Sequence, residues 1–178
     1  MSRVAPRGVS GDEAGTAGER GARARGDGLA RNAAGVNDGA VATSDTTIRV
    51  RYAETDTMGV VYYGHYLTYF EVGRVEFLRQ HGFPMSVVDR KIHMPVVEAS
   101  VRYVRPARLD DLLRVRCWIS ERKRASFVFR YDIRHAETDE PVATGETRHA
   151  CWNPDTQRMI AIPDWLEPLL IPEPASAP

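Results

Sequence analysis

The segment Tyr52-Ala53-Glu54-Thr55-Asp56-Thr57-Met58-Gly59-Val60-Val61-Tyr62-Tyr63-Gly64-His65-Tyr66 holds the residues whose types and spacing are best suited to chemistry. Asp56 sits in a Thr- and Gly-rich stretch, a few residues before a helical pattern that starts at His65. The first N–H groups of a helix lack intrahelical partners, and the helix dipole favours negative charge there. A carbonyl oxygen placed at such a point is polarised, and the oxyanion formed by attack on it is held. Losing one donor of this kind costs hydrolases on the order of 10²–10³ in rate. A neighbouring carboxylate could then act as general base toward water or as a nucleophile. Gly59 and Gly64 fit the scheme, because glycine lets a backbone turn tightly and approach a ligand closely. An Asp between two threonines before a helix is, however, more often a turn or capping residue. The local pattern leaves both roles open.

The elements that must position this loop follow from periodicity. Thr47 to Tyr52 alternates apolar and polar, which predicts a strand with Ile48, Val50 and Tyr52 on one face. From His65 to His81, Tyr66, Phe70, Gly73 and Phe77 fall at i, i+4, i+7 and i+11, one wide aromatic stripe that predicts a largely buried helix. Gly82 and Pro84 supply its stop signal. Gly73, costing about 1 kcal/mol relative to Ala in a helix, points to close approach of another backbone. Period two then returns: Val97, Ala99, Val101 and Tyr103 share a face, as do Leu113, Val115, Cys117 and Ile119, and Phe127, Phe129, Tyr131 and Ile133. A last strand runs from Val142 to about Trp152, and Pro163 to Leu166 could open a short terminal helix. Strands joined by short connections imply an antiparallel sheet with one face covered, and the aromatic helix is the one long element able to cover it. The predicted class is α+β, a curved antiparallel sheet wrapped around one buried helix.

Composition divides the chain. Of its 178 residues, 24 are Lys or Arg and 24 Asp or Glu, a formal charge of zero. Residues 1–46 hold 9 of the 14 glycines, balance 6 arginines with 6 acids, and contain no Phe, Tyr, Trp or Ile. Such a segment cannot offset the roughly 1–2 kcal/mol per residue that ordering a backbone costs. We therefore expect a disordered tail over 1–46, one domain over 47–170, and a flexible Pro-rich tail over 171–178. No apolar run approaches the roughly 20 residues of a membrane span, and the N-terminal segment has neither the apolar core of a secretory signal nor the acid-poor character of a transit peptide. Cys117 and Cys151 are too few for a disulfide scaffold and read as buried thiols. A cytoplasmic location is the expectation. Zero net charge argues against nucleic-acid binding, although residues 102–134 carry ten Arg or Lys against four acids.

The string from Arg51 to Glu71, with D-x-x-G-V-V-Y-Y at Asp56 to Tyr63 followed by Tyr69-Phe70-Glu71, resembles the signature of the hotdog-fold acyl-CoA thioesterases of the 4-hydroxybenzoyl-CoA thioesterase and YbgC-like group. The likeness continues through Arg74, Glu76, the strand at Val97 to Val104, Tyr103 with Pro106 and Asp110, and Thr144 to Thr147, and covers nearly all of Thr47 to Trp165. It implies the hotdog fold, with the long helix as its centre. It implies hydrolysis of an acyl-CoA thioester to free acid and CoA, with no cofactor and no metal. Asp56 would activate water or attack the carbonyl, and the backbone N–H of Tyr63, with Gly64 beside it, would form the oxyanion hole. Tyr52 matches a tyrosine implicated in the YbgC-like branch. Where that branch has a His seven residues after the Asp, this sequence has Tyr63, so position 63 keeps a backbone role. Gly59, Tyr62, Gly64 and His65 are the expected substrate-binding residues. The resemblance further implies homodimers paired edge to edge through their sheets, with sites at the interface, assembling into homotetramers.

Arg102, Arg105, Arg108, Arg122, Lys123 and Arg124 are candidates for the phosphates of coenzyme A; each could equally solvate the outer sheet face. Glu71 and Arg74 pair naturally at i, i+3. His93, His135 and His149 show no metal-ligand spacing, and no serine-hydrolase, Walker or dinucleotide motif occurs. Two rival readings retain the fold or ligand: an acyl-thioester hydratase or dehydratase, which would want a His at position 63, and a non-catalytic acyl-CoA-binding protein.

Overall fold

Alternation of large apolar and polar side chains builds the sheet. The computed structural model describes residues 42–170. Its strands are β1 (Thr43–Arg49), β2 (Val96–Tyr103), β3 (Leu112–Arg122), β4 (Ser126–His135) and β5 (Pro141–Ala150), all antiparallel in the order β1-β3-β4-β5-β2. The helix α1 (His65–Gln80) lies across one face, with a single turn α2 (Met85–Val88) after it. A small hairpin, β6 (Trp152–Asn153) and β7 (Arg158–Met159), follows β5. This is the α+β arrangement expected, a curved antiparallel sheet around one helix.

The inward rows of β3 and β4 are those the periodicity predicts: Leu113, Val115, Cys117 and Ile119, and Phe127, Phe129, Tyr131 and Ile133, are all buried. From the helix, Tyr66, Tyr69, Phe70, Gly73, Phe77 and Leu78 are buried, with Phe70, Gly73 and Phe77 against these rows. Phe70 stacks on Tyr131 with centroids 4.2 Å apart and planes 8° off parallel, and Phe77 meets Phe129 edge-on. Helix and sheet approach so closely that a Cβ on Gly73 would lie 2.9 Å from Val115 Cγ1; the close neighbour is a β3 side chain, not the backbone expected. Gly82, at φ +87°, ends the helix as predicted, and Phe83 N–H returns to Leu78 O at 2.8 Å.

Four further expectations change. Of the tail expected over 1–46, residues 1–41 lie outside the described residues, as does 171–178. Thr43 to Thr46, however, belong to β1, paired with Val115 to Trp118, because ladder bonds to a long neighbour satisfy a segment with little apolar surface of its own. The predicted strand to Tyr52 stops at Arg49: Val50 N–H bonds Asp111 O, and Arg51 and Glu54 then close a 3₁₀ turn, Tyr52–Glu54, that throws Tyr52 outward to 83% exposure. Third, β2 is an edge strand with little cover: Val97, Ala99 and Tyr103 are exposed and Val101 is half-buried, because α1 packs chiefly over β1 and β3. At the C-terminus Pro163 to Leu166 form a turn rather than a helix, and a 3₁₀ turn, Glu167–Leu169, follows.

A buried polar chain crosses the inner face. His149 Nδ1 lies 3.0 Å from Met94 O and so carries the proton; Nε2 then accepts from the Thr147 hydroxyl at 2.8 Å, whose oxygen accepts from Tyr131 at 2.7 Å. Burial, followed by the Arg74 guanidinium, pushes His149 down to about 4. An unfolded imidazole titrates near 6.5, so between pH 6.5 and 4 the unfolded chain holds the extra proton. Stability contributed by neutral His149 is complete above pH 6.5 and falls by ~3 kcal/mol as pH drops to 4. Urea midpoints measured from pH 7 to 4.5 should decline more steeply in the wild type than in His149→Gln.

Gly145 offers a second check. A Cβ there would stand 2.4 Å from Ser100 O and 2.5 Å from the Phe70 ring, neither of which can yield without breaking the β2–β5 ladder or the Phe70–Tyr131 stack. Gly145→Ala should destabilise by about 1–3 kcal/mol in urea unfolding, although removing a strand glycine elsewhere stabilises.

Candidate functional site

The loop between the first 3₁₀ turn and α1 is a tight hairpin. Thr55 and Val61 form a bridge, Asp56 N–H bonds Val60 O at 2.9 Å, and Gly59 N–H returns to Asp56 O at 3.0 Å. Gly59 occupies φ +72°, a conformation glycine adopts without penalty. Gly64 needs no such freedom, at φ −66°; it caps α1 where a Cβ would press on the Tyr62 ring at 3.0 Å. The hairpin is pinned outside itself by Val61 N–H to Ala107 O at 2.8 Å and by Tyr62 N–H to Glu54 O at 2.9 Å.

At its tip the Asp56 carboxylate accepts the Met58 N–H at 2.8 Å through Oδ1, which is the turn role open to it in the sequence. Its other oxygen has no hydrogen bond among the described residues, so the turn role does not consume the group. Asp56 and Tyr63 line one cleft of about 300 Å³, walled by Tyr66, Tyr103, Arg105 and Pro106. Tyr103 donates its hydroxyl to Tyr63 O at 3.1 Å and meets Tyr66 edge-on at 5.2 Å. Among the described residues, the N–H groups of Tyr63 and Gly64 donate to no protein acceptor, as expected of a helix start. Burial raises the Tyr66 phenol, which keeps its hydroxyl uncharged.

Asp56 also lines a second, open cleft of about 700 Å³ with Tyr52, Thr55, Thr57, Gly59 and Leu109. The structure thus brings Asp56 together with Tyr63 on one side and with Tyr52 and Gly59 on the other. Tyr62, Gly64 and His65 line neither cleft: the Tyr62 ring turns back onto Tyr63 at 4.3 Å, and His65 meets Tyr62 edge-on at 6.1 Å.

The basic excess dissolves on folding. Arg114, Arg116, Arg122, Lys123, Arg130 and Arg134 each pair with a carboxylate, and four of the acids, Asp45, Asp139, Glu146 and Glu167, come from outside residues 102–134. The six phosphate candidates also separate in space. Arg105 lines the Asp56–Tyr63 cleft, paired with Glu140, and Arg108 reaches within 3.5 Å of Gly59 O. Arg102 is exposed on the outer edge of β2. Arg122, Lys123 and Arg124 stand at the far end of β3, roughly 33 Å along the strand from Leu112.

Three residues of the site make contacts that the sequence does not foretell. Glu54 is 2% exposed and accepts from Arg51 N–H, the Arg51 guanidinium and the Tyr69 hydroxyl. Arg51 at i−3 was a local signal for it; Tyr69 and Tyr103, 15 and 40 residues from their partners Glu54 and Tyr63, had none. Among the described residues no three His, Cys, Asp or Glu side chains gather as a metal site, and no helix is long and apolar enough to cross a membrane.

Residues 50–170 match the family model of the thioesterase-like superfamily. YneP of Bacillus subtilis is 33% identical over 127 residues, covering 68% of this chain and 91% of its own. The acyl-CoA thioester hydrolase YbgC of Escherichia coli is 37% identical over 91 residues, 51% of this chain and 68% of that one. The solved DHNA-CoA thioesterase from Staphylococcus aureus superposes with a TM-score of 0.65 at 35% identity, covering 70% of this chain and 87% of that one. With a helix-and-sheet core of the hotdog type and a family match over most of its length, the chain belongs to the thioesterase-like superfamily of thioester hydrolases.

Proposed function

We propose that this protein is an acyl-CoA thioesterase that hydrolyses the thioester to a carboxylic acid and CoA, with Asp56 as general base or nucleophile. The observation that carries the reading is the shared cleft: the Asp56 carboxylate, with one oxygen uncommitted, and Tyr63, at a helix start whose N–H groups have no protein acceptor, line the same concavity. A thioester carbonyl at the helix start would accept from the Tyr63 and Gly64 amides. Water deprotonated by Asp56, or the carboxylate itself, would add to that carbon. The tetrahedral oxyanion would gain charge where the amides are fixed, and CoA thiolate would leave as the carbonyl reforms. A thioester is already activated, so the step requires no cofactor. The aromatic walls Tyr66 and Tyr103 suit the acyl group, and Tyr52, on the open cleft, flanks Asp56 from the other side.

Arg105 and Arg108, close to the loop, are the arginines suited to CoA phosphates; Arg122, Lys123 and Arg124 are too distant within one protomer. The exposed β2 edge, with Val96, Val97, Tyr103 and Val104 open, supports edge-to-edge pairing of two protomers, which would close the nearby cleft, and dimers of this kind could assemble into tetramers.

Asp56→Asn, folded as judged by circular dichroism, should lose about 10²–10⁴ in kcat/KM across a panel of aliphatic and aromatic acyl-CoAs. Equal turnover by the variant would remove Asp56 from the chemistry. Arg108→Ala should raise KM for acyl-CoA about tenfold, ~1.4 kcal/mol for one lost charge-assisted contact. It should leave the KM for the matching acyl-pantetheine unchanged, and Arg124→Ala should alter neither.

A further inference from the structure

Asp56 and the helix N-terminus belong to different elements, and the chemistry proposed above works only if their separation is held to within a fraction of an ångström. Misplacement by about 1 Å can cost on the order of 10² in rate. The hairpin carrying Asp56 has few internal bonds, and its tip, at Met58, is exposed. What fixes it lies at its base.

We propose that Glu54 and Tyr69 form a positioning pair that locks the Asp56 hairpin to the buried face of α1 and so sets the distance from Asp56 to the helix-start amides. The inference rests on the thioesterase reading for its kinetic consequence but not for its structural one. Glu54 stands two residues before Asp56, and its backbone O receives the Tyr62 N–H, one residue before the proposed oxyanion donor. Its carboxylate receives Tyr69, on the second turn of α1, at 2.9 Å, and Arg51 N–H and Nε at 2.9 and 2.8 Å. One residue therefore ties together the 3₁₀ turn, the return strand of the hairpin and the helix. The tie continues across the helix start: Tyr69 meets Tyr66 edge-on at 5.8 Å, Tyr66 meets Tyr103 at 5.2 Å, and Tyr103 bonds Tyr63 O.

Glu54 is not a second catalytic carboxylate. Its side chain is 3% exposed, it lines neither cleft beside Asp56, and it is engaged by donors on both oxygens. Although burial works to raise its pKa, the Arg51 and Tyr69 bonds outweigh burial and hold the group ionised, as a fixed acceptor requires.

The test compares Tyr69→Phe with Tyr131→Phe in the full chain. Each deletes one buried hydroxyl from a helix–sheet environment, but Tyr131 bonds Thr147, away from the loop. Two readouts are taken: kcat and KM on an acyl-CoA, and hydrogen exchange at the Asp56, Gly59 and Tyr62 amides. Tyr69→Phe should lower kcat about tenfold or more with KM within about twofold, and accelerate exchange at those three amides about tenfold while the middle of α1 stays protected. Tyr131→Phe should lower the melting temperature yet leave kcat and loop exchange as in the wild type. Glu54→Gln, which keeps an acceptor for Tyr69, should retain more kcat than Glu54→Ala, and this ranking decides the matter should Tyr69→Phe fail to fold. Wild-type loop exchange and kcat in Tyr69→Phe, or equal kcat losses in the two Tyr→Phe variants, would overturn the proposal. A wild type inert toward every acyl-CoA would instead overturn the thioesterase reading, while the exchange data would still decide whether the pair holds the loop.

Discussion

The constraint on which the structure depends is the burial of one aromatic helix face against a sheet that has to make room for it. Phe70 lies flat on Tyr131 and directly over Gly145, where a single methyl group would meet both the ring and the neighbouring strand's carbonyl. Gly73 plays the same part on the helix side, against Val115. Close packing of this kind is steep in energy, because cores tolerate extra methylene groups poorly. It fixes both the height of α1 above the sheet and the direction in which its N-terminus points.

That direction creates the site. A helix start presents donors that its own backbone cannot use. Here they emerge beside β2, in a cleft whose other walls come from the hairpin before the helix and the loop after β2. Asp56 is carried in by the hairpin rather than by the helix, so the arrangement needs a tie between the two. Glu54 supplies it from a buried position, with Arg51 and Tyr69 compensating the cost of taking a carboxylate out of water. The loop itself can stay exposed and polar because its register is set from beneath.

Charge is handled differently. The outer face of the sheet is a lattice of arginines and carboxylates paired across strands, as in Arg116 with Asp45 and Arg148 with Glu98 and Glu121. Such exposed pairs contribute little stability individually. Their effect is to cancel a local basic excess, so that zero net charge in this chain reflects neutralisation between segments distant in sequence. Arg108, beside the Asp56 loop and without a carboxylate partner among the described residues, is for that reason one of the two arginines proposed for an anionic ligand near the site.

The sequence by itself determined the features that depend on near neighbours along the chain. The aromatic stripe from Tyr66 to Phe77 defines a buried helix, Gly82 ends it, the alternations in β3 and β4 name the inward rows, and Asp56, Gly59 and the helix start follow one another within nine residues. Side-chain direction repeats every 3.6 or 2 residues, so such features are written locally. Tertiary structure alone decided that β2 would be an uncovered edge, that Tyr52 would leave the strand, that Tyr62 and His65 would stand off the clefts, and that Tyr69 and Tyr103 would reach the loop. Each of these depends on which distant segment arrives alongside, and that is set by how the whole sheet folds around the helix, a long-range quantity with no local period. Glu54 stands between the two cases: Arg51 three residues earlier marks the turn, but only the packed helix supplies the hydroxyl that makes the turn an anchor.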